Sequence, residues 1–284
     1  MSEAIRKIEE EIRRRGVNLY DFALMTDEGI EEIHTQPCNP CNNSYSVTKA
    51  FIATAAGMLW EKGKLDLDRP VTRFFPDYAP TDENWNRVTT RHALTHTMGI
   101  ESGYLDIDVE DIYTYGTEDF MEVVFRKPLP HAPGSHYCYS DAAYYLASRV
   151  VEEAAGERTD AFLMRELLLP LKTQEAAFSC CPGNHIIGAT GLYIRARDMV
   201  KLGWLYANGG KYEERQVISE RWIAEEEKGN LAFTSCGKGD ARGTGGMCGQ
   251  MLMFSKEKRF AAAWHSFTAD GRLKGLNEFI EEIL

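Results

Sequence analysis

The spacing of apolar residues predicts a helix at each end of the chain. Within MSEAIRKIEEEIRRRGVNLYDF, Ile5, Ile8 and Ile12 recur at intervals of three and four residues, which is the spacing of one buried helix face. The last stretch, LKGLNEFIEEIL, has a similar amphipathic pattern. Both segments are therefore interpreted as surface helices that pack on the fold through one side.

Short apolar runs bounded by turn residues predict strands near both ends. YDFALMTDEGIEEIHTQ contains two such runs around a turn at 27–29, which is typical of a β-hairpin. GQMLMFS and KRFAAAWHS form a second pair around a charged turn at 256–258. The sheet is thus expected to combine strands from both ends of the chain.

The middle of the chain is predicted to be mainly helical. Patterns such as DAAYYLASRVVEEAAG alternate with loops marked by Pro and Gly, and strand signals are few. We predict a single domain over 1–284, in which a sheet lobe (about 1–70 and 200–284) carries an inserted helical lobe (about 71–199). A chain of 284 residues that is 44% apolar can bury a core of that size.

Charge and hydropathy exclude several classes of partner. A formal net charge of −11 opposes binding to phosphate backbones and anionic lipid surfaces. The run FIATAAGMLW is about half of the ~20 residues that a membrane-spanning helix needs. The N-terminus is charged where a secretory signal has an apolar core. We expect a cytoplasmic protein that acts on small molecules, with no nucleic-acid or membrane partner; the sequence leaves its oligomeric state open.

Cysteine and histidine residues provide weak indications of other chemistry. The seven cysteines have no regular spacing, which favours free thiols. Cys38 and Cys41 form a C-x-x-C that fits a redox pair or half a metal site, but an ordinary loop is favoured because no second ligand pair follows. His92 and His96 lack the glutamate of a zinc-binding H-E-x-x-H, and His265, without a G-x-S-x-G elbow, is expected at a strand end or in a cleft. No metal and no cofactor is predicted.

One segment has the spacing of a nucleophile and its partner. In SYSVTKAFIATAAGMLWEKGKLDLD, Ser46 precedes Lys49 by three residues at the start of a helix predicted over Val47 to Trp60. Residues three apart share a helix face, with Cβ atoms roughly 5–6 Å apart. A serine that forms an acyl intermediate needs such a partner and donors for the developing oxyanion, and a helix N-terminus favours negative charge.

Spacing alone does not identify a nucleophile. The same S-x-x-K pattern occurs at Ser235 with Lys238 and at Ser255 with Lys258. Serine is also a preferred residue at helix starts, where its side chain caps a backbone N–H. The pattern by itself therefore favours a simple helix cap at Ser46.

The order of several blocks changes this interpretation. The blocks are, in order, SVTKAFIATAAGMLWEKGKLDLDRPVTRFFPDYAP, VTTRHALTHTMGI, PHAPGSHYCYSDAAYYLASRVVEEAAG and GATGLYIRARDMVKLGWLYANGGKYEERQVISERWI. In this order they resemble, over most of the chain from about residue 20 onward, the serine β-lactamase-related hydrolases, the family of class C β-lactamases, DD-peptidases, esterases and 6-aminohexanoate-dimer amidases. The resemblance implies an α/β fold of the α+β, β-lactamase/transpeptidase-like type, with helices flanking an antiparallel sheet, and an acyl-serine hydrolase with Ser46 as nucleophile and Lys49 as its partner.

The second motif of this family is Tyr-x-Asn, and the matching residues are Tyr139, Ser140 and Asp141. The resemblance implies that Tyr139 takes the Ser46 proton and later gives it to the leaving group. A role for Ser140, as in the Ser-Asp-Asn of class A enzymes, is the alternative. Asp141 departs from the family's asparagine, because it lacks the amide donor and carries a negative charge at a predicted substrate-binding position.

The third motif differs most from the family pattern. Where β-lactamases and peptidases have Lys-Thr-Gly and many esterases His-x-Gly, this chain has GMCGQ at 246–250, similar to the Gly-x-x-Gly-Gln of the amidase and esterase branch. The backbone N–H groups of Ser46 and Met247 are the predicted oxyanion hole. The remaining predicted substrate-binding residues are Gly246, Cys248 and Gly249.

The altered third motif favours some of the functions that the resemblance implies over others. Without its cation, the site lacks the group that would hold the carboxylate of a β-lactam or peptide. We therefore predict a carboxylesterase or small-amide hydrolase acting through an acyl-enzyme. The alternatives are a β-lactamase or DD-peptidase-like enzyme, and a ligand-binding member of the fold that has lost efficient chemistry.

Overall fold

The protein is described by a computed structural model over residues 1–35, 40–268 and 270–284, and its largest element is a six-stranded antiparallel sheet. The strands, in chain order, are β1 (Leu19–Thr26), β2 (Gly29–His34), β3 (Cys41–Asn43), β4 (Ala176–Phe178), β5 (Leu192–Arg195), β6 (Lys211–Tyr212), β7 (Arg215–Gln216), β8 (Thr234–Ser235), β9 (Arg242–Gly246), β10 (Gln250–Ser255) and β11 (Phe260–Ser266). The sheet has the order β2-β1-β11-β10-β9-β8. Strands from both chain ends thus meet at the β1–β11 pair, which confirms the predicted sheet.

Helices surround this sheet. They are α1 (Glu3–Arg15), α2 (Thr48–Glu61), α3 (Thr90–Leu94), α4 (Phe120–Arg126), α5 (Asp141–Ala155), α6 (Thr159–Leu163), α7 (Ala196–Ala207), α8 (Glu220–Gly229) and α9 (Leu276–Ile283). The predicted helices at the two ends are confirmed as α1 and α9, and α2 lies within one residue of its predicted bounds. Within the described ranges, no helix combines the length and the apolar character needed to cross a membrane.

Both faces of the sheet are covered, which explains why its central strands are apolar throughout. Successive side chains of a strand point to opposite faces. Phe22 and Leu24 of β1 lie in one apolar cluster with the buried residues of α1 and α9, while Ala23 and Met25 lie in the main core with α2 and α7. The runs ALM and AAAW therefore lack the polar alternation of a half-exposed strand.

A second, three-stranded antiparallel sheet has the order β3-β5-β4. It joins the segment that leads to Ser46 to two strands of the middle region, where the sequence predicts mainly helices. The strands have three or four residues each, too few for a period-two pattern to emerge. The C-x-x-C prediction concerns Cys38, which lies outside the described residues; Cys138, Cys180, Cys181, Cys236 and Cys248 are free thiols.

The central helix α2 is enclosed by the core and carries the predicted nucleophile segment at its N-terminus. Gly57 allows α8 to approach it, because a Cβ at this position would lie 2.2 Å from the Trp222 ring. That ring cannot easily move, since Trp222 is fully buried and its indole N–H donates to the Tyr206 hydroxyl at 2.9 Å. Tyr206 itself bonds Thr54 at 2.9 Å, so Tyr206 belongs to the core.

We expect Gly57→Ala to lower the free energy of unfolding by about 1–3 kcal/mol, because overpacking forces shifts in a close-packed core. Urea denaturation measures this change. Gly245→Ala is the matched control, since its Cβ would meet no atom closer than 3.7 Å. Equal stability of the two variants would contradict the tight α2–α8 contact.

Candidate active site

Ser46 lies in a turn of 3₁₀ helix, Tyr45–Val47, that leads directly into α2. Tyr45 has a positive φ of 47°, and its N–H donates to the side chain of Asn43 at 2.9 Å, which supports this unusual conformation. The Ser46 hydroxyl oxygen lies 3.0 Å from Lys49 Nζ and 2.7 Å from the Tyr139 hydroxyl. Val47 occupies the N-cap position of α2 without a side-chain cap, so the structure does not use Ser46 as a helix cap.

Lys49 is buried with only 4% of its surface exposed. Its Nζ has three acceptors, namely Ser46 Oγ, Asp141 Oδ1 at 2.7 Å and the Ala189 carbonyl at 2.8 Å. An ammonium has three N–H donors, so these contacts use all of them. The geometry fits a charged Lys49 that donates to the serine oxygen.

Tyr139 approaches from the loop before α5 and packs on His96. The two ring centroids are 4.5 Å apart at an interplanar angle of 30°. Burial and the nearby Lys49 lower the pKa of His96 to about 3, and its Nδ1 accepts the N–H of Ser140 at 3.2 Å. A neutral His96 thus positions Tyr139 by packing against its ring. The sequence did not reveal this role, because the H-x-x-x-H pattern suggested only metal binding.

Ser140 does not face the nucleophile. Its hydroxyl exchanges two hydrogen bonds with the backbone of Tyr104, at 3.1 and 3.2 Å, and only 2% of the residue is exposed. Of the two alternatives for the second motif, the geometry favours Tyr139.

Asp141 is the first residue of α5 and forms a buried ion pair with Lys49. Burial raises the pKa of its carboxyl group, while the charge of Lys49 opposes that rise. Oxygens of Asp106 and Asp108 lie within 4.8 Å of each other and of an Asp141 oxygen. No pattern along the chain indicated this cluster, and direct substrate contact by Asp141 stays a prediction.

The third motif lies against the nucleophile segment. A Cβ on Gly246 would lie 2.6 Å from the Ser44 carbonyl, so only glycine permits this approach. The chain then turns through Met247–Gly249, with Cys248 at φ 60° and Gly249 at φ 88°. Met247 and Ser46 each lie in a short 3₁₀ turn, and the first N–H groups of a helix have no partner within it. This arrangement fits the predicted oxyanion hole.

Of the two places expected for His265, a strand end or a cleft, the structure has the strand end. It lies near the end of β11 with no exposed surface, and burial lowers its pKa to about 4. Its Nε2 is 2.8 Å from the Ile194 carbonyl and its Nδ1 2.9 Å from Gln250 Oε1. Gln250 also donates to the Met247 carbonyl at 3.3 Å, so His265 supports the third motif from inside the fold.

Comparison with known proteins shows which family the chain resembles. The model of the Beta-lactamase family matches residues 43–281. Esterase EstB of Burkholderia gladioli is 33% identical over 146 residues, which are 47% of this chain and 37% of the esterase. The chain spans between about a quarter and about half the length of the curated relatives it matches.

Solved structures share the fold along the whole chain. A family VIII carboxylesterase has a TM-score of 0.77 at 16% identity, with 100% of this chain and 98% of that one covered. An octameric penicillin-binding protein homologue from Pyrococcus abyssi has a TM-score of 0.75 at 18% identity, with 99% and 76% covered. On the match to the family model and this shared fold, the chain belongs to the Beta-lactamase family.

Proposed function

We propose that the protein is a serine hydrolase that cleaves a small ester or amide through an acyl-enzyme. The observation that carries this proposal is the Lys49–Ser46–Tyr139 chain of contacts, at 3.0 and 2.7 Å. Lys49 donates to Ser46 Oγ, which leaves the serine hydroxyl able to donate its own proton to the Tyr139 oxygen 2.7 Å away. The similarity to a known esterase adds support.

The proposed reaction has two halves. Tyr139 starts the reaction as a phenolate, which the ammonium of nearby Lys49 stabilises. Ser46 Oγ attacks the carbonyl carbon while its proton passes to this phenolate, and the negative charge moves to the carbonyl oxygen. The N–H groups of Ser46 and Met247 stabilise the oxyanion. Tyr139 then gives the proton to the departing alcohol or amine, which leaves the acyl group on Ser46. Water attacks this ester in the same way and releases the acid and free Ser46.

A fluorophosphonate probe tests the proposal directly, since it modifies only activated serines. We expect intact-mass spectrometry to detect a single adduct on the native protein, and peptide mapping to locate it on Ser46. Absence of an adduct would overturn the proposal and favour the ligand-binding alternative.

An ester or amide is favoured over a β-lactam because of the charges near Ser46. A β-lactam carboxylate would meet three aspartates beside Lys49 and a third motif without a cation. We expect aryl acetates to be hydrolysed with a much higher kcat/KM than nitrocefin. Comparable values for the two substrates would instead support the β-lactamase alternative.

Tyr139→Phe is expected to lower kcat by about 10²- to 10⁴-fold, the usual contribution of a general acid–base group. The melting temperature should change little, because the ring that packs on His96 remains. Steady-state kinetics with an aryl ester measures the effect. Tyr137→Phe is the matched control, since Tyr137 also packs on His96 but is 64% exposed; equal kcat values for the two variants would rule out the role of Tyr139.

A further inference from the structure

The acidic cluster beside Lys49 has more negative charge than the described residues neutralise. Asp106 and Asp108 lie in the loop between α3 and α4, and their carboxylates approach Asp141. Lys49 is the only cation paired with this cluster across residues 1–35, 40–268 and 270–284, and its donors are already used by Ser46, Asp141 and Ala189. Asp106 and Asp108 thus have no positive partner of their own in this part of the chain.

The polar atoms around Asp106 and Asp108 are poorly satisfied. Asp106 Oδ1 is buried without a hydrogen-bond partner. Thr190 is only 2% exposed, and its Oγ1 also lacks a well-aligned partner, although it lies close enough to Asp108 to lower the pKa of that carboxyl group. Burial opposes this effect and raises the pKa of Asp108 overall. Buried polar atoms without partners are rare in native proteins. A ligand that donates hydrogen bonds would therefore satisfy the acceptors of the corner formed by Asp106, Asp108 and Thr190.

The corner lies beside the proposed nucleophile. Thr190 directly follows Ala189, whose carbonyl accepts from Lys49, and Lys49 Nζ touches both Ser46 and Asp141. Asp106 and Asp108 are partly exposed, so a bound molecule can reach them.

Two tyrosines lie in the neighbourhood of this corner. Burial raises the pKa of the Tyr45 phenol, and the nearby charge of Asp108 adds to this rise; 40% of Tyr193 is exposed. Carboxylates together with aromatic faces are the groups that bind organic cations. A calcium ion would need six to eight oxygen ligands, which is more than Asp106, Asp108 and Thr190 supply while Asp141 bonds Lys49.

We propose that the substrate carries an organic cation, an ammonium or guanidinium group, which Asp106 and Asp108 bind while Ser46 attacks the carbonyl. This inference rests on the proposed hydrolase function and specifies its substrate class. It also gives a physical reason for the missing cation of the third motif, since a site for a cationic substrate has no use for a group that attracts carboxylates.

Three acetate esters that differ in charge test the inference. Acetylcholine is cationic, 3,3-dimethylbutyl acetate is its neutral isostere, and 4-acetoxybutanoate is anionic. Acetate release, followed by proton NMR in the presence of a chelator, gives kcat/KM for each. We expect acetylcholine to exceed the neutral ester by about tenfold or more, as for a cation bound by carboxylates and aromatic rings, and the anionic ester to be the slowest.

Two variants locate the effect. Asp106→Asn and Asp108→Asn should each lower the ratio of cationic to neutral kcat/KM by about threefold to tenfold. Glu214→Gln is the matched control, because it makes the same change in net charge on an exposed turn between β6 and β7 and should leave the ratio unchanged. A ratio that responds equally to all three variants would overturn the inference.

Labelling of Ser46 separates this inference from the proposed function. If the fluorophosphonate labels Ser46 and the wild type prefers the neutral ester, the cation site is wrong and the hydrolase proposal stands. If Ser46 is labelled but no ester is turned over, the rate of labelling is measured in the presence of choline or of its neutral isostere 3,3-dimethyl-1-butanol. The inference expects choline to slow labelling more, and equal slowing by the two alcohols overturns the cation site. If Ser46 is not labelled at all, the hydrolase proposal fails, and the cation inference fails with it.

Discussion

Replacing Ser46 with alanine is expected to abolish ester hydrolysis, with a loss of about 10⁶-fold in kcat, the size found when a nucleophilic serine is removed from a hydrolase. The attacking oxygen is absent, so no acyl-enzyme can form and the fluorophosphonate adduct should disappear. The melting temperature should change little, because Ser46 is partly exposed and caps no helix. Steady-state kinetics, intact mass and thermal denaturation measure the three quantities.

Ser235→Ala provides the matched control for that result. Ser235 precedes Lys238 with the same S-x-x-K spacing but lies exposed in β8. Its replacement should leave hydrolysis and labelling intact. Activity retained by Ser46→Ala would show that another residue is the nucleophile, whatever the contacts around Ser46.

The contrast between these two serines explains how much of the site the sequence predicted. Spacing placed Ser46 and Lys49 on one face, and the order of motifs added Tyr139; the structure brings the three side chains together. Their proximity could be predicted because each residue sits in a regular element or beside one, so local pattern fixes its direction.

Residues from irregular segments were not predictable in this way. Asp106 and Asp108 belong to a loop without periodicity, and only the path of the whole chain brings them to Asp141. His96 follows α3 in a left-handed conformation, φ 56°, and nothing local indicates that its ring will pack on Tyr139. The site thus combines a predictable arrangement of Ser46, Lys49 and Tyr139 with surroundings that depend on tertiary structure.

The strands of the fold also divide into those that the sequence predicted and those that it did not. Strands with long apolar runs, such as β10 and β11, were predicted, whereas β9 was not, because its sequence RGTGG has low strand propensity. Glycine is needed there for another reason, since β9 ends at Gly246 against the Ser44 carbonyl. This close backbone approach therefore overrides the local preference on which sequence patterns depend.

Asp141 is the residue that most distinguishes this site from the Tyr-x-Asn pattern. Its carboxylate pairs with Lys49 in a setting where each side chain is 5% exposed. The pair keeps a charged lysine beside Ser46, and it also means that neither residue can be removed alone without leaving a buried, unpaired charge.

Lys49→Met is accordingly expected to damage both activity and stability. Hydrolysis should fall by about 10³-fold or more, because the serine loses the donor that fixes its proton and stabilises charge. The free energy of unfolding should fall by about 3–5 kcal/mol, since Asp141 is left as an uncompensated buried charge near two other aspartates. Urea denaturation and ester kinetics measure the two losses separately.

The double variant Lys49→Met/Asp141→Asn separates the two roles of the lysine. Removing both charges should restore most of the lost stability, because a neutral amide is far less costly to bury than an unpaired carboxylate. Activity should stay as low as in Lys49→Met, because the donor to Ser46 is still absent. Asp141→Asn alone should retain measurable hydrolysis, since Lys49 still contacts Ser46 and Ala189. A double variant that regains activity together with stability would mean that Lys49 acts only as a structural partner of Asp141.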